Sequence, residues 1–303
     1  MTAGRGYADW IAVDWGTTNL RAWAMKDGAP IAHGQSNKGM GTLEPEGFEL
    51  ALLDLIETWL GADRTLVIAC GMVGSRSGWV EAPYARVPSA PLSATMARAP
   101  VTDPRLDVRV ISGLSQDAPA DVMRGEETQI AGYLHQNLAF DGVLCLPGTH
   151  SKWVQVSAGE VVSFRTFMTG EMFSLLSDHS VLRLTVGKGW DDRAFLDAVT
   201  DAMGRPEAIA QRLFTLRAEG LLHGLAGDAA RSRLSGLLIG AELAAARPYW
   251  LGQEVVLIGD DTLAAAYAAA LVAQGLTPGV ADATDLTLAG LSAARAFTSE
   301  TTS

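Results

Sequence analysis

The first half of the chain alternates short apolar runs of strand length with one segment of helical periodicity. Apolar residues recur at helical spacing over residues 50–60. Residues 26–28, Lys-Asp-Gly, predict a hairpin turn. Residues 75–105 are rich in Pro, Gly and Ser and predict a long surface excursion. The predicted strands are 10–13, 19–25, 30–34, 65–70 and 107–111.

The second half is predicted to be mostly helical, with a few buried strands. Its apolar runs predict strands at 143–146 and 255–258, and a hairpin over 151–167. Helical patterns cover most of the remaining residues, at 125–136, 171–247, 262–274 and 285–297. Strands that alternate with helices predict an α/β protein.

One pattern occurs twice. Residues 15–23, WGTTNLRAW, and residues 147–154, PGTHSKWV, share a Gly-Thr pair, polar residues, a basic residue and a Trp. Each follows an apolar run and predicts a strand, a tight turn and a second strand. The repeat indicates two related lobes, although eight residues can also match by chance.

Composition and charge narrow the class of protein. With 303 residues, 48% hydrophobic and 19% charged, the chain has the composition of a folded protein and the length of two domains. The formal net charge is −11, and no run rich in Lys and Arg occurs. Nucleic-acid partners favour a basic face, so this partner class is not expected.

The two cysteines, the N-terminal residues and the longest apolar stretch indicate where in the cell the protein is located. Cys70 and Cys145 each end an apolar run, which predicts inert thiols in a reducing compartment. The first ten residues contain no apolar region typical of a signal peptide. The longest apolar stretch, 263–273, is too short to span a bilayer. These features predict a cytoplasmic protein with no membrane partner.

Two turns carry groups suited to phosphate. Asp14 ends the first apolar strand, Gly16 permits a tight turn, and Thr17 and Thr18 offer amides and hydroxyls. An ordinary hairpin with a capped turn explains the same residues equally well. No G-x-x-x-x-G-K-[ST] pattern occurs, so a P-loop enzyme is not the simple interpretation.

The second turn offers the same donors. Gly148 and Thr149 follow a strand, and Lys152 lies three residues further on. His150, taken alone, is typical of an ordinary turn. Two such turns could hold the β- and γ-phosphates of a nucleotide.

A third segment, residues 255–262, predicts a strand that passes through Gly259 into a helix. This arrangement suits a base or ribose packed against backbone. A plain strand–helix connection, with Asp260 or Thr262 as the helix cap, accounts for it as well.

Taken in order, the three segments resemble the two phosphate motifs and the adenosine motif of the actin-like sugar kinase superfamily. Within it, six stretches between residue 11 and about residue 271 resemble the 2-dehydro-3-deoxygalactonokinase family. One position departs, since Asp260 stands where the superfamily often has a second Gly. The six stretches are DWGTTNLRAW, GMVGSRSGWVEAPY, DVMRGEETQ, LPGTHSKWV, FMTGEMFSLL and GLLIGAEL.

The resemblance implies an α/β fold of two actin-like (ribonuclease H-like) lobes with a ligand cleft between them. Residues 1–117 would form the N-terminal lobe on the sugar-binding side, and residues 118–303 the C-terminal lobe on the nucleotide-binding side. Phosphate contacts would come from both turns, and nucleotide contacts from Gly259 and Asp260. Gly170 and Glu171 could meet the ribose, although a helix cap also explains these two residues. The implied phosphate-binding residues are Gly16, Thr17, Thr18, Arg21, Gly148, Thr149 and Lys152.

The implied reaction is transfer of phosphate from ATP to 2-dehydro-3-deoxy-D-galactonate, in D-galactonate breakdown. Mg²⁺ is implied too, with Asp14 as its ligand, directly or through water. The expected partner is a small sugar acid, and the sequence leaves a homo-oligomer open. Two alternatives remain: a kinase of another sugar acid or ketose, and a non-catalytic actin-like ATP-binding protein.

The attacking hydroxyl needs a base. Relatives in the superfamily carry an acid a short way before the second phosphate motif, and Glu126 occupies that place. Asp121, five residues upstream, is the competitor. A solvated helix N-terminus, where acids favour the dipole, is the alternative for both.

The substrate carboxylate calls for an Arg, which binds carboxylates through two N–H groups. Arg76 with Ser75, in the 75–105 excursion, is the first candidate, and Arg124 and Arg165 compete. Trp79 could pack on the sugar, although packing inside the protein explains a Trp equally well.

Overall fold

The computed structural model describes residues 7–299. The strands are β1 (Trp10–Trp15), β2 (Leu20–Lys26), β3 (Ala29–Ser36), β4 (Thr65–Cys70), β5 (Tyr84–Arg86), β6 (Met96–Arg98), β7 (Leu106–Ile111), β8 (Gly113–Asp117), β9 (Ala120–Met123), β10 (Gly142–Leu146), β11 (Ser151–Ser157), β12 (Glu160–Phe167), β13 (Val255–Gly259) and β14 (Gly279–Asp282). The α-helices are α1 (Gly47–Ile56), α2 (Glu126–Gln136), α3 (Thr169–Ser174), α4 (Asp192–Gly204), α5 (Ile209–Leu222), α6 (Gly227–Ala245), α7 (Arg247–Trp250), α8 (Asp261–Val272) and α9 (Ala283–Ser299).

The described chain divides into two units, each with its own sheet and core. The first unit comprises the described residues through Phe140, Ala158–Val162 and those from Ala283 onward. The second comprises Asp141–Ser157 and Ser163–Asp282. Residues 118–140 therefore group with the first unit by their contacts, and the lobe boundary at 117–118 stays a prediction.

The first unit is built on a six-stranded sheet in the order β3-β2-β1-β4-β7-β6. Strand β1 runs antiparallel to β2 and parallel to β4. Both faces of β1 are buried, because its residues alternate between two apolar clusters. Ile11 and Val13 pack with Phe48 of α1 on one face. Trp10 packs with Leu291 of α9 on the other.

Helix α2 packs closely on α9 through two glycines. A Cβ at Gly132 would lie 2.0 Å from the carbonyl oxygen of Leu286, and a Cβ at Gly290 would lie 1.9 Å from that of Thr128. Only glycine lets the two backbones approach so closely. This contact fixes α2, whose first residue is Glu126, against the rest of the unit.

The second unit repeats the arrangement of the first. Its five-stranded sheet has the order β12-β11-β10-β13-β14. Strand β10 runs antiparallel to β11 and parallel to β13, as β1 does to β2 and β4. Each of the two Gly-Thr pairs lies in the turn between an antiparallel strand pair. The strand–turn–strand units predicted from the repeated motif are thus present in both units.

The predicted surface excursion over residues 75–105 is mostly exposed or half-buried, as expected, but it is more structured than its composition suggested. The segment contains β5 and β6, and its Trp79, Ala82 and Ala99 lie in the core of the first unit. Its Pro and Gly residues mark turns between short strands, and these obscure the buried positions. The β8–β9 hairpin and β14 also lack a predicted counterpart, because their alternation is too short to be distinctive.

No helix in the described residues combines the length and apolar character needed to cross a bilayer. Both cysteines are free and buried, and burial raises the pKa of each thiol well above its usual range. They are inert core residues, as predicted. The part of the N-terminus before residue 7 lies outside the described residues.

Candidate functional site

Asp14 lies at the end of β1, directly opposite Arg21 of β2. Its Oδ2 accepts hydrogen bonds from Arg21 Nε, at 3.1 Å, and from Arg21 Nη2. Arg21 Nη1 also donates to Thr284 Oγ1 at 3.3 Å. Cross-strand pairing of opposite charges offsets the cost of placing the carboxylate at the sheet edge. Arg21, a predicted phosphate ligand, therefore also orients Asp14.

The first Gly-Thr turn, residues 16–19, has a fixed backbone and exposed side chains. Gly16 N–H donates to the carbonyl of Asn19 at 2.9 Å. The carbonyls of Gly16, Thr17 and Thr18 accept from the amides of residues 40, 41 and 39. The side chains of Thr17 and Thr18 are exposed. A rigid turn with free hydroxyls suits contact with a phosphate.

Two glycines bring the start of α2 next to Asp14. Gly71 follows β4 with φ +93°, and a Cβ there would lie 2.7 Å from the carbonyl oxygen of Trp15 and 3.5 Å from Asp14 Oδ1. Gly125 has φ +110°, and a Cβ there would lie 3.3 Å from the Cα of Gly71. Both φ values favour glycine. The structure therefore brings the predicted metal ligand and the segment with the predicted base to one region of the first unit.

The two candidate bases have different surroundings. Glu126 is half-buried at the first position of α2, and its Oε2 accepts from Arg124 N–H at 3.1 Å. Asp121 lies on β9 opposite Gln116, and its Oδ1 accepts from Val122 N–H at 2.8 Å. The approach of Gly125 to Gly71 favours Glu126, because it places the start of α2 near Asp14. The choice between the two acids stays a prediction.

Glu127, which was not predicted as a site residue, is fully buried beside Glu126. Burial and the neighbouring charge of Glu126 raise the pKa of Glu127 to about 8. Its Oε2 accepts from Gly125 N–H at 2.7 Å, which holds the glycine that precedes the helix. The sequence shows two adjacent acids and cannot tell which one turns inward.

The arginines proposed for the substrate carboxylate occupy different environments. Arg76 is exposed. Arg124 is buried: it stacks 4.2 Å from the centre of the Tyr84 ring, and its Nη2 donates to the carbonyl of Ala82 at 2.7 Å. Within the described residues, its Nε and Nη1 have no hydrogen-bond partner. Arg165 belongs to the second unit, where its Nη1 donates to the carbonyl of Phe164 at 2.8 Å.

The segment that carries Ser75, Arg76 and Trp79 lies against Arg124. A Cβ at Gly74 would lie 2.9 Å from Arg124 Nη1. Ser75 Oγ is buried and has no hydrogen-bond partner within the described residues. Trp79 stacks on Phe48 with ring centres 6.1 Å apart, inside the core. Core packing accounts for Trp79 without a ligand, and its predicted contact with a sugar stays a prediction.

In the second unit, the second Gly-Thr turn, residues 147–150, lies against the start of α3. A Cβ at Gly170 would lie 2.3 Å from the carbonyl oxygen of Gly148. Glu171 N–H donates to the carbonyl of Thr149 at 2.9 Å, and its Oε2 lies 2.6 Å from His150 Nε2. The structure thus brings the predicted phosphate and ribose contacts together.

Gly148, Thr149 and Gly170 border a cavity of about 870 Å³ within the second unit. Its volume is that of a small-molecule site. Cationic side chains, Lys188 and Arg231, lie at its wall with Gly148, Thr149 and Gly170. Neither cation was expected from the sequence, because no spacing links them to the turn motifs.

Asp260 and Lys152, two further predicted ligand contacts, have different surroundings. Asp260 lines the cavity and caps α8, where its Oδ1 accepts from Thr262 N–H at 3.1 Å and Leu263 N–H at 3.0 Å. The cap explains an Asp after Gly259, where relatives often have Gly. Lys152 is buried on β11, and its Nζ lies 3.4 Å from the carbonyl oxygen of His150.

Asp14 fits a magnesium ion better than a metal with an all-protein ligand set. Among residues 7–299, no group of three or more His, Cys, Asp or Glu could hold a metal. Arg21 occupies Asp14 Oδ2, while Oδ1 lies 3.9 Å from the Cys70 thiol. Mg²⁺ needs few carboxylates, because it keeps several waters and binds substrate phosphates. One carboxylate oxygen beside the first Gly-Thr turn meets that need.

Two units, each with an antiparallel pair around a Gly-Thr turn and a parallel strand beside it, define an α/β protein of the actin-like class. The family model described as 2-keto-3-deoxy-galactonokinase matches residues 14–294. The chain belongs to this family and is a kinase, which confirms the resemblance found in its motifs.

Individual relatives agree with this assignment. The chain is 39% identical to a Rhizobium meliloti protein named probable 2-dehydro-3-deoxygalactonokinase, over 97% of this chain and 98% of that one. It is 37% identical to the Escherichia coli 2-dehydro-3-deoxygalactonokinase, over 88% and 91%. A crystal structure of a Sinorhizobium meliloti protein assigned to the same kinase has 38% identity and a TM-score of 0.88, over 94% and 97%.

Proposed function

We propose that this protein transfers the γ-phosphoryl group of ATP to the 6-hydroxyl of 2-dehydro-3-deoxy-D-galactonate, in D-galactonate catabolism. The observation that carries the proposal is the family match over residues 14–294, which includes both Gly-Thr turns. The curated relatives, similar to this chain over nearly their whole length, bear the name of that activity.

The second unit is proposed to bind ATP. Its cavity is large enough for a nucleotide, and Gly148 and Thr149 lie at its wall, where their amides could meet phosphate oxygens. Lys188 and Arg231 offer positive charge to the phosphates. Gly170, at the same wall, and the adjoining Glu171 are proposed to contact the ribose. Lys152 supports the second Gly-Thr turn through its contact with the carbonyl of His150.

Asp14 is proposed to hold Mg²⁺, directly or through water. The ion, when bound, neutralises charge on the transferring phosphoryl group. Arg21 keeps the carboxylate in one orientation through its two hydrogen bonds. Thr17 and Thr18 would contact phosphate oxygens from the adjoining turn.

Glu126 is proposed as the base that accepts the proton of the 6-hydroxyl. Gly125 and Gly71 bring its helix next to Asp14, so one carboxylate would bind the metal while the other takes the proton. Glu127 fixes the backbone of Gly125 through a hydrogen bond of 2.7 Å and thereby supports the position of Glu126.

Arg76 is proposed to bind the substrate carboxylate. Its side chain is exposed, so its guanidinium is accessible to a ligand. Arg124 is buried and donates to the carbonyl of Ala82. It therefore supports the segment that carries Arg76, and the two arginines have separable roles.

The proposal is tested by identifying the product. Purified protein is incubated with ATP, Mg²⁺ and 2-dehydro-3-deoxy-D-galactonate, and the product is examined by ³¹P and ¹³C nuclear magnetic resonance. We expect a phosphate ester on carbon 6. A phosphate on another carbon would refute the stated regiochemistry. No phosphate transfer would favour the non-catalytic ATP-binding alternative.

The free, buried thiols of Cys70 and Cys145 agree with a proposed cytoplasmic location. No nucleic-acid partner is proposed for a chain of net charge −11. Oligomeric state is an open part of the proposal, and light scattering with and without ATP measures it directly.

A further inference from the structure

Glu242 is a buried acid in the last turn of α6, with 3% of its surface exposed. Its Oε1 accepts from Trp153 Nε1–H at 2.8 Å. Its Oε2 accepts from the Tyr267 hydroxyl at 2.7 Å and from the Thr169 hydroxyl. The Tyr267 hydroxyl oxygen also lies 2.9 Å from Ser151 Oγ. One carboxylate therefore joins residues of β11, α3, α6 and α8.

Two of these partners border the cavity of the second unit. Thr169 and Tyr267 line it, together with Gly148 and Thr149 of the second Gly-Thr turn. Thr169 is also the first residue of the α3 turn, residues 169–171. That turn packs on the carbonyl of Gly148 and donates a hydrogen bond to the carbonyl of Thr149. Glu242 thus holds Thr169, which lies at the cavity wall and begins the α3 turn that packs on the second Gly-Thr turn.

We propose that Glu242 is a positioning residue for nucleotide binding. Its carboxylate fixes Thr169, and through Thr169 it fixes the α3 turn against the second Gly-Thr turn. This wall is then preformed before the nucleotide arrives, which lowers the cost of ordering it on binding. The inference rests on the proposed function, in which this cavity takes ATP.

The chemistry of the network supports a role beyond packing. A buried carboxylate is costly, and apolar residues of similar volume often give equal or greater stability. Burial raises the pKa of Glu242, while hydrogen bonds from Thr169, Trp153 and Tyr267 lower it. An acid retained at such a cost needs a reason. The hydrogen bond that fixes Thr169 at the cavity wall is such a reason, since an apolar side chain could not accept it.

Thr169 gives the most direct test, because it is half-buried and its change leaves the core intact. Thr169→Val keeps the shape and removes the hydroxyl, and Thr169→Ser keeps the hydroxyl. We expect Thr169→Val to raise the Kd for ADP, measured by isothermal titration calorimetry, by about 5- to 10-fold. Thr169→Ser should remain within about 2-fold of wild type, as expected when the hydrogen bond is kept.

Glu242 itself is tested by a matched pair. In Glu242→Gln, the amide oxygen can face Trp153 Nε1–H and the NH₂ group can face the hydroxyls of Tyr267 and Thr169, which can turn to accept. Glu242→Met removes every acceptor. We expect Gln to bind ADP nearly as wild type does and Met to bind it at least about 10-fold more weakly. The KM for ATP should rise in parallel, and the KM for the sugar acid should not change.

Trp250→Phe is the control for a plain loss of stability. Trp250 is buried and its Nε1–H donates to the carbonyl of Leu243, the residue next to Glu242, at 2.8 Å. Trp250 is not among the residues that line the cavity. The variant should lower Tm and leave the Kd for ADP unchanged.

The outcomes separate the inference from the function on which it rests. Unchanged ADP binding in Thr169→Val, or equal weakening in Trp250→Phe, would overturn the inference while an active wild type leaves the proposed function standing. A wild type that binds no nucleotide would overturn both. Should Glu242→Met fail to fold, the Thr169 pair with its control decides the matter.

Discussion

Replacing Asp14 by Asn should lower kcat by about 100-fold, or about 2.7 kcal/mol of transition-state stabilisation, a typical loss for one electrostatic contact. Asn has the same shape but lacks the negative charge that would hold Mg²⁺. It also weakens the ion pair with Arg21. In that pair the Asp14 side chain is 20% exposed to solvent and the Arg21 side chain is 35% exposed. Because that pair is partly solvated, its loss should cost the folded state about 1 kcal/mol or less. The effect on turnover should therefore exceed the effect on stability.

The assay measures kcat and both KM values by coupled ADP release, with Tm recorded for the same samples. Asp107→Asn is the matched control. Asp107 also lies in the first sheet, on β7, and accepts from Arg98 Nε and Arg109 Nε at 3.0 Å each. Burial opposes ionisation, but these arginines hold the pKa of Asp107 below its usual value. Its variant should lose stability and keep normal turnover.

Two results would refute the reasoning. Near-normal turnover in Asp14→Asn would make Asp14 a hairpin residue that only pairs with Arg21. An equal loss of turnover in Asp107→Asn would show that any broken carboxylate–arginine pair in this sheet reduces activity, with no special role for Asp14.

Three further predictions concern Arg76, Glu126 and Glu127. Arg76→Lys should raise the KM for the sugar acid and leave the KM for ATP nearly unchanged, because a point charge replaces a two-pronged donor; steady-state kinetics measure both, and equal effects would move the carboxylate site elsewhere. Glu126→Gln should lower kcat by about 10²- to 10⁴-fold at saturating ATP, whereas Asp121→Asn should change kcat only slightly. The reverse result would make Asp121 the base. The pKa of Glu127 is raised from its ordinary value of 4.5 to about 8. Between pH 4.5 and about pH 8, this side chain is therefore deprotonated in the unfolded chain and protonated in the folded protein. Folding stability should therefore fall as pH rises through this window, by at most about 1.4 kcal/mol per pH unit from this group. Urea unfolding at several pH values should show a shallower decline for Glu127→Gln, and identical slopes would contradict the assigned burial.

The sequence predicted the sheets better than it predicted the site. Strand β4 matches its predicted bounds, and β1, β10 and β13 agree within one or two residues, because fully buried strands are continuous apolar runs. The two turns were also predictable, since Gly-Thr pairs after such strands recur in both halves. Short strands such as β5 and β6 were not, because their few residues show no clear alternation.

Buried polar residues were the hardest to predict. Glu127 and Glu242 lie in two of the stretches that resemble the kinase family, yet nothing in the local sequence shows that both side chains turn inward. Their burial depends on segments far away in the chain: Glu242 meets Trp153 and Tyr267, which lie 89 and 25 residues from it. The same holds for Arg124, whose surroundings come from residues 74–84.

The central claim is that this kinase acts on a sugar acid, and one measurement tests it most directly. Coupled ADP release is followed with Mg²⁺ and saturating ATP across a panel of sugar acids and neutral ketoses, and kcat/KM is compared. We predict the highest kcat/KM for 2-dehydro-3-deoxy-D-galactonate and turnover near background for the neutral ketoses. A neutral ketose as the best substrate, with no ADP release from 2-dehydro-3-deoxy-D-galactonate, would contradict the account.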